Sequence, residues 1–291
     1  MVHERVRVIG AGLGRTGTKS LQNALIDLGY NTYHMETKLK DSTGMQRDVW
    51  NKWARAEVSG DASQRKSAAK DVLEMWKTLG VNATTDFPAC VLYKELLETY
   101  PDAKVILSAR RSGEKWARSF SNTIGRVGAI IYRATLPFAW ILPPLKTFVD
   151  DEMQFFKAMF SRVPGLQEYA EHEWITFLPL QSFTERQQAD FAKAHNLWKD
   201  HVLSTVPSEK LLLYYPGDGF EPLCSFLKIE NCPAGPPRKG WNTSSRFARI
   251  LDVTEVLAFL FPFVLFLCLV VLSKRICPCA RKGPTKKAKG A

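Results

Sequence analysis

A glycine-rich segment near the amino terminus restricts the possible folds of this chain more than any other feature. Residues 10–20 read GAGLGRTGTKS and follow Val6 to Ile9, a short run with strand character. Ser20 to Leu28 then places apolar residues at helical spacing, and Asn31 to Met35 reads as a second strand. A strand, a glycine loop, a helix and a strand in succession predict a βαβ unit, and therefore a parallel sheet covered by helices.

Later segments repeat this alternation of short apolar runs and helical patterns. Val81 to Thr85, Lys104 to Ser108 and Leu211 to Tyr215 read as further strands. Val105 to Leu107 is apolar throughout, as in a strand that is buried on both faces. We therefore expect an α/β fold of the three-layer α/β/α kind with a central parallel sheet, formed by a domain at residues 1–245.

The charge of the chain is unevenly distributed. The formal net charge is +11, but residues 274–291 contain seven Lys or Arg residues and no acid. The preceding domain is only mildly basic, so the charge does not require a nucleic-acid partner, and none is predicted. The six cysteines have no paired metal-ligand spacing, which predicts no metal site and indicates buried or free thiols in a reducing compartment.

An apolar segment close to the carboxyl terminus predicts a membrane anchor. Val256 to Leu272 contains no charged residue, and the basic tail at 274–291 begins soon after it. A helix this apolar on all sides lies either in a protein core or in lipid, and the basic tail favours lipid. We predict a juxtamembrane segment and a single transmembrane helix at 246–273, with the span at about 256–272.

The expected orientation of that anchor follows from the amino terminus, which is polar and shows no signal peptide. We therefore expect a single-pass membrane protein whose catalytic domain lies in the cytosol. The opposite orientation stays open, because the basic tail would itself favour the cytoplasmic side. Asn82 and Asn242 also begin glycosylation sequons, which only a lumenal domain could use.

The position of the glycine loop, between a strand and a helix, predicts a phosphate-binding site. Residues 12–17 match the dinucleotide fingerprint GxGxxG, and Glu36 follows the second predicted strand, where a ribose-binding acid would lie. This alternative is an NAD-dependent Rossmann oxidoreductase. The triphosphate-binding pattern fails by one residue, since Thr18 stands where its lysine should be and Lys19 follows.

A third pattern is more specific. The string Arg15-Thr16-Gly17-Thr18 resembles the 5′-phosphosulfate loop of the P-loop sulfotransferases, and further blocks that resemble one subfamily follow in order. These blocks read GLGRTGTKSL, LGYNTYHM, DFPACVLYKELLETYPDAKVIL, EKW and DGFEPLCSFL, and the resemblance spans about residues 6–245. It implies a P-loop-type fold and a sulfotransferase that moves a sulfonate group from 3′-phosphoadenosine-5′-phosphosulfate to a hydroxyl acceptor without a metal.

The resemblance also implies which residues hold this donor. Arg15 replaces the loop lysine of the family as the cation that faces the leaving oxygen. The rest of the loop surrounds the 5′-phosphate. The predicted binding residues are Gly14, Arg15, Thr16, Gly17, Thr18, Lys19 and Ser20.

A second group of predicted residues binds the 3′-phosphate of the donor. The family uses an Arg at the end of a strand and a Ser on the next helix, and the matching positions are Arg110 or Arg111 and Ser119. The choice between the two arginines stays open, because Ser112-Gly113 replaces the Asp-Pro that is usual in the family. A later Arg-Lys-Gly contact of the family points to Arg238.

The predicted catalytic base lies after the third predicted strand. Many relatives have a His two residues before a Pro there, whereas this chain has Asp86 before Phe87-Pro88. A buried carboxylate can act as a base, and the alternative is that Asp86 caps the following helix. His34 on the second predicted strand is a further catalytic candidate, which would line the acceptor pocket.

Three functions therefore stay open. The first is a membrane-anchored sulfotransferase that acts on a small-molecule, lipid or carbohydrate acceptor. The second is a catalytically degenerate relative that binds a nucleotide at a membrane, and the third is the NAD-dependent oxidoreductase.

Residues 129–149 are apolar and interrupted by prolines, and we interpret them as a lid or an interface-lying loop.

Overall fold

The central element of the fold is a parallel sheet. The computed structural model describes residues 5–126, 142–171, 183–215 and 217–240, and within them five strands pair in the order β2-β3-β1-β4-β5. The strands are β1 (Val8–Gly10), β2 (Thr32–Tyr33), β3 (Ala83–Thr84), β4 (Lys104–Ser108) and β5 (Leu211–Tyr214), and each neighbouring pair is parallel. The predicted α/β fold with a central parallel sheet is confirmed.

Ten helices flank the sheet in the described part of the chain. They are α1 (Thr18–Asp27), α2 (Met35–Leu39), α3 (Met45–Ser59), α4 (Ala62–Thr78), α5 (Tyr93–Thr99), α6 (Gly113–Phe120), α7 (Pro143–Ser161), α8 (Gln167–Glu171), α9 (Glu185–Thr205) and α10 (Glu221–Leu227). A π-helical turn at Ser121–Gly125 continues α6, and short 3₁₀ turns lie at Ala89–Leu92 and Ser208–Lys210.

The sheet is buried on both faces because its residues alternate between two cores. Ile9, Val105 and Leu107 belong to the larger core, whereas Val8 and Ile106 pack with α1 and α10 on the opposite face. The larger core contains the buried tryptophans Trp50, Trp53, Trp76, Trp116 and Trp198. Apolar packing on both faces holds β1 and β4 in the centre, and the carboxyl ends of these strands carry the loops described below.

The strand order differs from that of the dinucleotide-binding fold. β1 lies between β3 and β4, whereas the order 3-2-1-4-5-6 places β2 directly beside β1. Glu36, in α2 after β2, is therefore separated from β1 by β3. Its carboxylate forms ion pairs with Lys19 and Lys40. The topology does not support the NAD-dependent alternative.

Two element boundaries differ from the predicted ones for local reasons. β2 ends at Tyr33 because His34 leaves the strand to cap α2, where its Nδ1 accepts the N–H of Glu36 at 3.1 Å. Pro143 begins α7, since proline fits the first turn of a helix. The end of the 129–149 segment is therefore helical, contrary to the loop prediction, and residues 129–141 lie outside the described residues.

The cysteine prediction is wrong for one pair. Cys224 on α10 and Cys232 in the segment after it form a disulfide, because the chain turns back after α10 and brings their Cα atoms to 5.7 Å. Cys90 is a buried free thiol, as expected.

The predicted anchor cannot be compared with the structure. The juxtamembrane and span segment at 246–273, the basic tail at 274–291 and the sequon at Asn242 all lie outside the described residues. Within the described ranges, no helix combines the length and the apolar character needed to cross a membrane. Asn82 is buried, so a glycan on its Nδ2 would require this side chain to become exposed.

Candidate active site

The indole groups of two tryptophans donate hydrogen bonds to the backbone of the glycine loop, residues 11–17. Nε1 of Trp198 on α9 donates to the carbonyl of Ala11 at 2.8 Å, and Nε1 of Trp116 on α6 donates to the carbonyl of Gly14 at 2.8 Å. Both indoles are buried, so these bonds are shielded from water. Because the bonds exist within the protein alone, the loop is held in shape before a ligand binds.

The loop also packs tightly against the end of β4. The Thr16 hydroxyl donates to the carbonyl of Leu13 at 2.6 Å and lies 2.8 Å from the Ser108 hydroxyl. A side chain at position 12 would collide with Ser108, so Gly12 is required for this packing. Thr16 therefore stabilises the loop from inside.

The amino end of α1 faces this loop. Its N-cap is Gly17, at a φ of 93° that glycine tolerates, and no side chain of the described residues caps it. The first-turn N–H groups are therefore available, and the helix dipole adds positive potential. Ser20 belongs to the same turn, and its Oγ accepts the N–H of Gly240 at 3.1 Å. Such a helix end is suited to a phosphate group.

Arg15 adds a cation beside that helix end. Its Nε donates to Oγ of Ser119 at 3.4 Å, and its φ is 72°. Burial lowers the pKa of Arg15, nearby Asp86 raises it, and Arg110 lowers it. A guanidinium stays protonated at neutral pH despite such shifts. Arg15 is thus a permanent positive charge between a carboxylate, a hydroxyl and a second cation.

Arg110 is that second cation. Its Nε donates to the carbonyl of Arg15 at 2.9 Å, and burial lowers the pKa of Arg110. Arg111 is exposed, with its guanidinium carbon 4.6 Å from the ring centre of Tyr215 and Nη2 3.4 Å from Asp218. Of the two arginines that the sequence left open, the structure places Arg110 at the loop and Arg111 away from it.

Asp86 contacts the loop from the end of β3. Its Oδ1 accepts the hydroxyl of Thr18 at 3.2 Å, and its Oδ2 lies 3.2 Å from Nε2 of His34. Thr18 and His34 are 3.3 Å apart. A Cβ on Gly14 would lie 3.1 Å from Oδ1 of Asp86. Asp86 has a φ of 71°, a conformation that costs energy for a residue with a side chain and is typical of functional sites.

The hydrogen bonds of His34 define its tautomer. Because Nδ1 accepts the N–H of Glu36, the ring hydrogen lies on Nε2 and is shared between Asp86 and Thr18. Burial lowers the pKa of His34, although Asp86 raises it. The neutral imidazole that donates to a carboxylate is therefore the form that fits this site at neutral pH.

The side chains of two other predicted donor-binding residues, Lys19 and Arg238, form ion pairs with acidic residues outside the glycine loop. Lys19 forms an ion pair with Glu36 and donates to Oε1 of Gln22 at 2.8 Å. Arg238 pairs with Asp27 at the carboxyl end of α1, a helix length of about 15 Å from the loop. The residues that the structure does bring together are Gly14, Arg15, Thr18, His34, Asp86, Arg110 and Ser119. Their roles in binding and catalysis stay predictions.

Three supporting side chains were not assigned from the sequence: Trp116, Trp198 and His195. His195 on α9 is 2% exposed, and its Nε2 accepts the N–H of Arg110 at 3.2 Å. Trp116 belongs to the EKW block, which was a usable signal. His195 and Trp198 lie 85 and 187 residues from their partners, a separation that no local pattern reveals. Among the described residues, no group of His, Cys, Asp and Glu could hold a metal ion.

Two comparisons with known proteins give matches that cover most of this chain. A family model described as "Sulfotransferase domain" matches residues 7–242, a range that includes every residue of the site. The curated "Ava biosynthesis cluster protein M" of Aspergillus versicolor is 30% identical over 223 residues, which is 76% of this chain and 76% of that protein.

Proposed function

This chain belongs to the sulfotransferase-domain family, and on that premise we propose that it transfers a sulfonate group from 3′-phosphoadenosine-5′-phosphosulfate to a hydroxyl acceptor. The observation that carries the proposal is the convergence of Arg15, Arg110 and Ser119 on the uncapped end of α1. Two guanidinium groups beside the amino end of a helix create a positive potential that attracts anions. A donor with phosphate groups at both its 5′ and 3′ positions supplies such anions.

The site residues divide between the two ends of this donor. The N–H groups at Gly17 and Thr18 would hold the 5′-phosphosulfate, in the manner of a P-loop, with Arg15 beside them. Arg110 and Ser119 would hold the 3′-phosphate. Arg15 donates to Ser119, and its carbonyl accepts from Arg110. The residues proposed for the two ends of the donor are therefore joined by hydrogen bonds.

Transfer forms a bond between the acceptor oxygen and sulfur, and breaks the bond between sulfur and the phosphate oxygen. The product is adenosine 3′,5′-bisphosphate, and negative charge develops on the departing oxygen. Arg15 stabilises that charge from a fixed position. The acceptor hydroxyl loses its proton to Asp86, which the Thr18 hydroxyl and the Nε2–H of His34 orient.

The acceptor is a small molecule in this proposal. The name of the Aspergillus versicolor relative assigns that protein to a biosynthesis cluster, which supports a small-molecule substrate. A lipid or a carbohydrate would present the same hydroxyl chemistry. The proposal keeps the transmembrane helix at 256–272, which would place the reaction at a membrane. The sequence favours a cytosolic catalytic domain, whereas the Cys224–Cys232 disulfide is typical of an oxidising compartment.

A thermal-shift panel tests the donor first. We expect adenosine 3′,5′-bisphosphate to raise the unfolding temperature, because a ligand that binds only the folded state stabilises it. NAD(H) should have no effect, and stabilisation by NAD(H) alone would overturn the proposal. An acceptor screen with sulfur-labelled donor tests the reaction. Binding of the bisphosphate without transfer to any hydroxyl compound would favour the catalytically degenerate alternative.

A further inference from the structure

The turn between β4 and α6 departs from the family pattern, and its packing explains the departure. Ser112 caps α6 by accepting the N–H of Lys115 at 3.2 Å. The next residue is Gly113, where a Cβ would collide with the carbonyl oxygen of Ala192 on α9. The glycine therefore allows the backbone of α9 to approach the turn more closely than any side chain would permit.

This close approach brings His195, one helical turn after Ala192, to the backbone of Arg110. The sheet ladder ends at Ala109, whose N–H donates to the carbonyl of Tyr214 at 3.0 Å. The N–H of Arg110 has no strand partner beyond that point, and Nε2 of His195 accepts it at 3.2 Å. A buried N–H group needs such a partner.

The other ring atoms of His195 are also fixed. Nδ1 lies 3.2 Å from Oδ1 of Asn196, and the ring centre lies 5.4 Å from that of Trp116. Since Nε2 accepts a hydrogen bond, the ring hydrogen is on Nδ1 and the imidazole is neutral. The ring cannot rotate without losing the acceptor for Arg110.

The same face of α9 holds the glycine loop. Trp198, three residues after His195, donates to the carbonyl of Ala11. One helix thus fixes the backbone of the loop and the backbone of Arg110, and Arg110 in turn binds the carbonyl of Arg15. α9 therefore supports both of the proposed anion-binding positions and helps to set the spacing between them.

We propose that His195 is a positioning residue that fixes Arg110 for the 3′-phosphate and thereby gives the enzyme its selectivity for donors that carry this phosphate. The inference rests on the proposed function, because it takes Arg110 as a ligand of the donor. His195 itself contacts the backbone of Arg110 and acts through it.

The test compares two ligands that differ only in the 3′-phosphate, adenosine 3′,5′-bisphosphate and adenosine 5′-monophosphate. Their dissociation constants are measured by calorimetry for the wild type and for His195→Phe, His195→Asn and His195→Gln. Phe keeps the ring and Asn is too short, so both remove the acceptor. Gln places an amide oxygen near the position of Nε2. We expect Phe and Asn to lower the preference for the bisphosphate at least tenfold, with little change for the monophosphate, and Gln to restore most of it.

His201→Gln is the matched control, because His201 lies on the same helix and its ring packs on Tyr93 and Trp198. It should keep the wild-type preference. An equal loss of affinity for both ligands in the Asn and Phe variants would indicate that His195 has only a structural role. An unchanged preference for the bisphosphate would overturn the inference. If Phe does not fold, the comparison of Asn with Gln decides. A wild type that binds both ligands equally would refute the proposed donor itself.

Discussion

Arg15 holds an unusual position for a charged residue, because its backbone is left-handed and its side chain is mostly buried. A substitution there changes both the charge and the backbone strain, so the replacement has to be chosen with care. Asn tolerates the left-handed region better than Ala does. Lys keeps the positive charge, as the loops of related sulfotransferases do.

We expect Arg15→Asn to lower kcat by about 100-fold to 1,000-fold, the usual effect of losing one group that stabilises developing charge. Arg15→Lys should keep most of the activity, since a cation remains. The measurement is steady-state kinetics with saturating donor, together with thermal unfolding to verify the fold. Full activity in the Asn variant would show that Arg15 does not supply the positive charge at the leaving oxygen.

Asp86→Asn tests the base. The amide keeps the size of the side chain but cannot take a proton, so kcat should fall by about 100-fold or more. The affinity for adenosine 3′,5′-bisphosphate should stay close to that of the wild type. Asp218→Asn is the control, because Asp218 pairs with Arg111 on the far side of the β4–α6 turn. A large loss of bisphosphate affinity in Asp86→Asn would indicate that Asp86 serves the loop rather than the chemistry.

At the scale of elements, the sequence predicted the bounds of those strands and helices that depend on local sequence alone. The strand Lys104–Ser108 has the expected bounds, because a continuous apolar run suffices to predict it. The end of β2 was missed because the hydrogen bond of His34 to Glu36 stops the strand. The position of Arg110 was open because the packing of Gly113 against α9 is a long-range contact.

The segment after α10 gives a prediction of its own. The Cys224–Cys232 disulfide anchors it, and it then runs along α1, where Asn23 donates to the carbonyl of Arg238 at 3.2 Å and Gly240 donates to Ser20. A short disulfide loop stabilises a protein by roughly 2–3 kcal/mol, which for a domain of this size is about 5–10 °C in unfolding temperature.

We therefore expect Cys232→Ser to unfold about 5–10 °C below the wild type. Affinity for adenosine 3′,5′-bisphosphate should fall several-fold, because Ser20 lies in the first turn of α1 and loses a fixed neighbour. Differential scanning calorimetry with and without reductant provides the control. Reductant should shift the wild type toward the variant and leave the variant unchanged; a shift in the variant would assign the effect to something other than this disulfide.

At the scale of the whole molecule, the sequence indicated a parallel sheet and a phosphate loop but not the strand order. The glycine segment matched two ligand classes, and the sequence blocks after it favoured the sulfonate donor. The position of β3 between β1 and β2 separates the two folds. The site itself joins residues from five distant parts of the chain, since Arg15 meets Ser119 across 104 positions and Trp198 meets Ala11 across 187. Such contacts depend on the packing of entire layers.

The buried histidines make the stability of the whole domain depend on pH. Burial is the main cause that lowers the pKa of His34 and of His195 from the ordinary value of 6.5. The carboxylates of Asp86 and Glu36 raise the pKa of His34, whereas Lys19 lowers it further. The contacts with Asn196 and Glu114 raise the pKa of His195, whereas the charges of Lys199 and Arg110 lower it further. In the unfolded chain both groups return to the ordinary value.

Between the folded and the unfolded pKa, the unfolded state binds more protons, so stability rises with pH in that window. The unfolding temperature should therefore be nearly constant above about pH 6.5 and should decrease from there toward about pH 5.5, where ordinary carboxylates are still ionised. Calorimetry across this range measures the slope. The double variant His34→Gln/His195→Gln has neither titrating ring, so its slope should be smaller than that of the wild type. Equal slopes in the two proteins would mean that other groups cause the pH dependence.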